Sequence, residues 1–394
     1  NLGFENRLLA DYNAGNISST VSAGIRLYSG NTYRYRNGLG TTGSDYDITL
    51  MDRKWPRDID YNSFNAAVFA ENIFRLNKNF IVIPGVRYEY LSAKASGRNG
   101  YDTDGNEILL QNEKRRRGFL LAGIGAEYHI SKTELYANIT QAYRPIQFAD
   151  LTAPPTTDVV DADIKDAKGF NADLGYRGKL QNWLFFDASI FYLQYNNRIG
   201  VITQQREDGS FYNYRTNVGN SASKGFEALA EISAVNLITG KSREYNCMIF
   251  ASYSFTDARY GNLKVITKQD NNLAETNLKN KKVENAPAHI LRSGATFSYK
   301  GFSFTAQVSH TSSSFADANN TEAVAANAQT GKIPAYTISD ITAVYNFKSK
   351  FNIKAGINNL TDERYFTRRA SGYPGPGALP ADGRTFFISA GVRL

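Results

Sequence analysis

The tightest constraint on this chain is a two-residue period in its apolar side chains. Ile341, Ala343, Tyr345 and Phe347 alternate with Thr342, Val344 and Asn346; after Lys348-Ser349-Lys350, the residues Phe351, Ile353, Ala355 and Ile357 alternate with Asn352, Lys354, Gly356 and Asn358. Side chains two apart share a strand face, so this is an antiparallel hairpin with one apolar side. The pattern recurs at Leu120, Ala122, Ile124, Ala126, Tyr128 and Ile130, at Leu291 to Val308 across Lys300-Gly301, and at Phe386, Ile388, Ala390, Val392 and Leu394. On Phe226, Ala228, Ala230 and Ile232 the second face carries Glu227 and Glu231. Ionised carboxylates there require water on that side. A sheet with one apolar and one wet face accounts for a mean hydropathy of −0.41 in a chain that is 13% aromatic.

The connections sharpen this reading. Very short turns alternate with long polar stretches near 37–60, 97–113, 146–166, 262–284, 316–333 and 369–383. Aromatic residues gather at the short-turn ends: Tyr345, Phe347 and Phe351; Tyr299, Phe302 and Phe304; Trp183, Phe185 and Phe186; Phe80. Rings at one level on successive hairpins predict an interfacial girdle. The fold class expected is therefore all-β, a transmembrane antiparallel barrel. About fifteen strands can be counted, an odd number where single-chain bacterial barrels are even.

Other classes are excluded on physical grounds. Charged or amide side chains interrupt every apolar run before it reaches the ~18 residues of a spanning helix. The lone Cys247 can form neither an internal disulfide nor a thiolate cluster, and His129, His289 and His310 lack any zinc-site spacing, so no metal site and no cofactor is expected. No nucleophile, base and orienting acid fall at a recognisable spacing, which argues against an enzyme. Asp102-Thr103-Asp104-Gly105 reads as a turn rather than a calcium loop, and Asp208-Gly209 as a hairpin tip. Lys114-Arg115-Arg116-Arg117 reads as a basic rim meeting lipopolysaccharide phosphates rather than a nucleic-acid patch. The first seven residues carry no export signal, so the chain is either not exported or preceded by further sequence.

The net charge of +8 fits an acidic partner without naming one. Basic residues gather at the long-loop ends: Arg34 and Arg36 continue the inward phase of Arg26, while Arg98, Arg144, Arg206 and Arg215 lie near other loop bases. Guanidiniums converging on a vestibule would grip carboxylates bidentately and steer a small anion inward.

These residues resemble a family, the TonB-dependent outer-membrane receptors, and within it the ferric dicitrate transporter branch. The resemblance is carried by the run from Ile357 through Asn359-Leu360-Thr361-Asp362 to Arg369, by Tyr373-Pro374-Gly375-Pro376-Gly377, by the stretch from Ser314 to Thr321 with Gly331 to Tyr336, and by Tyr143-Arg144-Pro145-Ile146-Gln147-Phe148. It covers essentially the whole chain but only part of a member. Such receptors resemble barrels of about 22 strands closed by an internal plug. Residues 1–394 are accordingly expected to be the C-terminal portion of the barrel, with the plug and first strands upstream. Leu394 departs from the Phe or Trp with which the family usually finishes.

The resemblance implies active uptake of an anionic ferric chelate, ferric dicitrate or a related siderophore, by a monomer in a Gram-negative outer membrane. It also implies coupling to the TonB-ExbB-ExbD complex through the upstream region. In the ligand site it places Arg144 and Gln147, matched through the Tyr-Arg-Pro stretch; Arg34, Arg36 and Arg206 rest on inward phase and loop position. The competing readings are a passive porin or adhesin barrel, a receptor of the same family for a non-iron nutrient, and a soluble carbohydrate-binding all-β protein. No nucleic-acid partner is expected.

Overall fold

The computed structural model describes residues 1–36, 57–102, 104–148, 158–207, 209, 211–241, 243–269, 272–347, 350–370 and 377–392. Its strands are β1 (Leu2–Ala14), β2 (Ile17–Arg36), β3 (Arg57–Arg75), β4 (Phe80–Tyr101), β5 (Glu107–Ile130), β6 (Thr133–Arg144) and β7 (Asp158–Val160). Then follow β8 (Ala167–Leu180), β9 (Leu184–Gln205), β10 (Phe211–Ser233), a single helical turn and a half in α1 (Ala234–Thr239), β11 (Tyr245–Gln269) and β12 (Asn272–Asn277). The last third holds β13 (His289–Tyr299), β14 (Phe302–Thr311), β15 (Ser314–Phe315), β16 (Lys332–Ile333), β17 (Tyr336–Phe347), β18 (Phe351–Asn358), β19 (Phe366–Ala370), β20 (Gly377–Pro380) and β21 (Thr385–Val392).

One sheet contains 17 of these strands; setting aside the short β7 and β12 leaves fifteen that follow one another as antiparallel neighbours from β1 to β21. Among the described residues β1 pairs only with β2, and β21 only with β18. The wall therefore has two open edges, flanked by exposed Leu2, Leu9, Phe386 and Ile388. No described helix is long and apolar enough to cross a membrane.

The period-two expectation is met strand by strand. On β5, Leu120, Ile124, Tyr128 and Ile130 are exposed, while Glu127 and His129 point to the other side. Large apolar side chains are thus on the outside, and among the described residues the larger buried apolar side chains gather in small clusters at the long-loop end. One gathers Ile59, Tyr61 and Ala95; another Tyr260, Leu263 and Leu278; a third Ile146 and Ile164. Such an inversion suits a lipid-facing wall with a polar inner face. Register aligns the expected ring belt: Tyr245 opposes Tyr299, Tyr299 opposes Phe302, and Phe302 opposes Tyr345. Phe185 departs from it. It opposes Lys179 and Glu231 on the polar face, because it shares the parity of Asp187 and not of Phe186.

The long connections are shorter than their polarity suggests. β4 runs to Tyr101 and β5 begins at Glu107, so the stretch 97–113 is mostly a hairpin; β11 and β12 likewise absorb much of 262–284. A spanning strand needs about 9–11 residues, whereas β5 has 24 and β11 has 25. Beyond the bilayer both faces are wet, apolar alternation is no longer required, and backbone ladder bonds continue through polar sequence. A bulge at Gly97 bends this extension; its φ of 116° and the carbonyl of Asp58, 2.2 Å from where a Cβ would sit, leave room only for glycine.

The Asn359-Leu360-Thr361-Asp362 run closes β18. Asn359 adopts φ 51°, is buried, accepts from the Glu363 amide at 2.8 Å and donates to the Glu363 carbonyl at 2.9 Å. Its own amide donates to Asp340 at 2.8 Å, and the Leu360 amide to the Ser339 carbonyl at 2.6 Å, tying the turn to β17. Asp362 accepts from the Arg384 amide at 2.9 Å at the entry to β21, and this bond holds its carboxyl below the usual range. The motif therefore joins three wall strands at one end. Residues 371–376 and Leu394, also part of the expected motif set, lie outside the described residues.

Candidate functional site at the long-loop mouth

Three segments build this site. The ladder between β5 and β6 stops at Gly123 and Thr140, above which the Gln141 side chain accepts the Ala122 amide at 2.9 Å in place of a backbone carbonyl. Beyond that point β6 leaves β5. Tyr143 stacks on Phe119 with ring centroids 3.5 Å apart, and the chain turns through Pro145 into residues 146–148.

Asp166 anchors this turn. One carboxylate oxygen accepts the Arg117 guanidinium at 2.8 Å and the Ile146 amide at 2.7 Å; the other accepts the Tyr143 hydroxyl in a short bond. Arg117 and Asp166 are only 15% and 16% exposed, so the charge is shared in a low-dielectric setting. Asp166 is in turn held through its neighbours: Lys165 and Asn217 exchange bonds of 2.7 and 2.9 Å, and the Asp161 amide donates to the Arg215 carbonyl at 2.9 Å. The Thr216 hydroxyl and the Asp163 amide keep the Asp161 carboxyl below its ordinary range.

From this anchor residues 143–148 form a strap between two apolar footholds. Ile146 packs with Ile164, Val160 and Ile199 on the β9–β10 side. Phe148 packs on Tyr61, ring centroids 4.4 Å apart, in the cluster with Ile59 and Leu110. Arg144 and Gln147 ride on this strap, Gln147 exposed and Arg144 half-buried. Arg34 opposes Ile59 across the β2–β3 ladder, so it stands beside the second foothold. The structure thus brings Arg34, Arg144 and Gln147 to one end of the wall through the strap. Arg36 opposes Arg57 in the same ladder; its side chain lies outside the described residues. Arg206 sits apart at the β9–β10 tip, its guanidinium 4.7 Å from the Tyr212 ring centroid.

Two other basic residues of the expected set have carboxylates beside them. Arg98 pairs with Glu107, and Arg26 lies 4.0 Å from Glu5. The basic run in β5 divides by parity: Lys114 and Arg116 are exposed on the outer flank, while Arg115 donates to the Ala162 carbonyl at 3.2 Å and Arg117 serves Asp166. Only half of it can form an external rim. The turn at Asp102 is as expected, its oxygens occupied by the Asp104 and Asn106 amides at 2.9 and 2.8 Å and by the Asn106 side chain at 3.0 Å. These bonds hold that carboxyl below its usual range, with the Asn106 side chain contributing most.

Two groupings lie outside the residues the sequence singled out. Asp166 lies 20 residues from Ile146 with no motif to mark it. On the polar face, Glu127, His129 and Glu134 place ligand-type atoms within 4.8 Å of one another. A search for zinc spacing among the three histidines passes over this group, because its other two members are carboxylates; the i, i+2 pair followed by a cross-hairpin Glu was the available signal.

The family model described as TonB dependent receptor-like, beta-barrel, matches residues 2–360. Among solved structures, the ferric citrate transporter FecA in its unliganded form is similar at a TM-score of 0.75 with 20% identity, over 98% of this chain and 53% of that one. The ferric-catecholate import receptor Fiu from E. coli K12 aligns at 0.73 with 16% identity, over 98% and 54%, and the siderophore receptor PiuA from Acinetobacter baumannii at 0.72 with 18% identity, over 98% and 55%. At these identities the likeness is one of fold, and the chain spans about half the length of each of these proteins. With a family model matched along nearly the whole wall, and a lipid-facing antiparallel sheet of the kind these outer-membrane barrels use, the chain belongs to the TonB-dependent receptor β-barrel family.

Proposed function

We propose that this chain forms the larger part of the barrel wall of a monomeric outer-membrane receptor that takes up a ferric chelate, ferric dicitrate or a related siderophore, with energy from TonB-ExbB-ExbD. The carrying observation is the strap of residues 143–148, held by Asp166 and footed on Tyr61, which presents Arg144 and Gln147 at the same mouth as Arg34. Guanidinium and amide donors suit a polycarboxylate shell around iron. Arg36 and Arg206 join the set as outer, steering charges. In this reading the long-loop end faces outward, the short turns face the periplasm, and Lys114 with Arg116 meets lipopolysaccharide. The open edges of β1 and β21 are closed by further strands, and a plug fills the polar lumen. The chain's part is to bind, orient and gate, and no chemical step is assigned to it.

The test is titration of the whole receptor with ferric dicitrate. An Arg contact to a carboxylate contributes about 1.5–3 kcal/mol, so Arg144→Ala should weaken binding by roughly ten- to a hundredfold. Saturable binding of another nutrient with ferric dicitrate silent would move the substrate and leave the receptor. Steady single-channel conductance without ligand binding would favour the porin reading.

A further inference from the structure

We infer that Glu127, His129 and Glu134 form a binding site for one divalent first-row transition ion, with Zn2+ best suited to its geometry, on the polar face of the wall at the short-turn end. The site is far along the wall from the strap and independent of the chelate reading. Glu127 and His129 share one face of β5 two residues apart, and Glu134 opposes His129 directly across the β5–β6 hairpin. The imidazole Nε2 lies 3.4 Å from Glu127 Oε2, and Nδ1 lies 3.3 Å from Glu134 Oε2. Two ligands each about 2.05 Å from a tetrahedral ion stand about 3.4 Å apart, so either pair already has the spacing of neighbours on zinc. The third ligand atom lies within 4.8 Å of the others. The two contacts use different ring nitrogens, so one ion takes Nδ1 together with the Arg177-held Glu134, and Glu127 turns away from Nε2 about its own torsions to complete the set.

The surroundings favour an ion over an idle cluster. Glu134 Oε1 is taken by the Arg177 guanidinium in a short bond, which orients the carboxylate and leaves Oε2 toward the imidazole, as an outer-sphere partner does for a ligand. The backbone of His129 is pinned on both sides: its amide donates to the Asn79 carbonyl and its carbonyl accepts from the Asn79 side chain, each at 2.7 Å. Glu127 and Arg177 also line a cleft of about 760 Å³ on the same polar face. Two carboxylates balance a dication while the imidazole stays neutral. The nitrogen ligand disfavours Ca2+ and Mg2+, which take oxygen shells.

Co2+ serves as a coloured substitute for Zn2+ in the whole detergent-solubilised receptor at neutral pH. The expected result is a visible d–d spectrum of tetrahedral or five-coordinate strength that saturates at one equivalent and is displaced by Zn2+. His129→Asn should abolish it, and Arg177→Gln should weaken binding by roughly tenfold or more. Ferric-chelate binding should be unchanged in both, which keeps this result separate from the proposed uptake. The unmodified receptor loaded with Cu2+ gives a check that needs no variant: its electron spin echo should carry the nitrogen modulation of a single imidazole. Absence of that modulation, or Co2+ binding that His129→Asn leaves intact, overturns the site. In either case the trio is a set of His129–carboxylate contacts that holds no ion.

Discussion

Replacing Asp166 with alanine isolates the strap from the wall that carries it. The change removes the counter-charge of Arg117, the acceptor of the Ile146 amide and the partner of the Tyr143 hydroxyl, and leaves a guanidinium 15% exposed without its carboxylate. Breaking a buried pair from one side costs about 3–5 kcal/mol, and residual solvent contact places this case near the lower figure. The wall ladders do not pass through Asp166, so the cost falls on the closure of residues 143–148. A local penalty of about 3 kcal/mol is roughly a hundredfold in the opening equilibrium. Hydrogen exchange at the Ile146 amide should accelerate by about that factor, while the amides of β4 and the lower part of β5 keep their protection. Asp166→Asn retains an acceptor for Ile146 but loses the charge, and about 1.5 kcal/mol of it should appear as roughly tenfold faster exchange. If the alanine variant exchanges at Ile146 within about threefold of the unmodified protein, Asp166 does not hold the strap, and the placement of Arg144 and Gln147 at the mouth loses its support.

Asn359→Ala removes the bonds to Glu363 and Asp382 and puts a Cβ with no capping group at φ 51°; a destabilisation of about 2–4 kcal/mol is expected, read as a lower temperature for loss of the heat-modifiable folded band. Asn359→Gly, which relieves the backbone but not the lost bonds, should recover about 1 kcal/mol of it. The paired substitutions Lys114→Glu and Arg116→Glu should lower co-purified lipopolysaccharide without changing that temperature, whereas Arg117→Glu, facing Asp166, should expose the strap to protease. Asp362 titrates below its ordinary value of 3.8 in the folded chain, so its bond to the Arg384 amide is present above that pH and is lost as pH falls through the lower folded value. Exchange at the Arg384 amide, followed from pH 5 downward, should lose protection only below about 3.8, and loss already complete at pH 5 would refute the assignment.

The wall was legible because membrane-spanning β-sheet writes itself as alternation. Every second residue of β5 from Leu120 to Ile130 must meet lipid, so Ala122, Ile124 and Ala126 announce both the strand and its orientation. The short turns added register, since Lys300-Gly301 allows Tyr299 to oppose Phe302 and little else. Strand ends at the long-loop side were not legible for the converse reason. Above the bilayer neither face is selected for apolarity, so β4 continues through Ser96, Gly97, Arg98 and Asn99 in sequence that reads as loop. The error has a direction: alternation measures how much of a strand is in lipid, and underestimates how far the hydrogen-bonded ladder reaches.

The mouth shows the same limit one level up. Arg144 and Gln147 could be singled out because a motif carried them, and Arg34 because inward phase predicts its face. What decides whether these groups act together is the strap, and the strap depends on pairings between residues far apart in sequence, Phe148 with Tyr61 and Asp166 with Arg117. Charge counting was misleading for that reason. In Lys114-Arg115-Arg116-Arg117 the four cations look alike as a string, but a two-residue period sends them to opposite sides, two toward solvent and two inward, where Arg115 meets the Ala162 carbonyl and Arg117 the strap's anchor Asp166. Arg26 and Arg98 carry the same charge as the candidate ligand-binding arginines, but Glu5 and Glu107 stand beside them. The sites of such a barrel follow from parity together with cross-strand register: parity assigns each cation a face, and register determines whether a carboxylate stands opposite it.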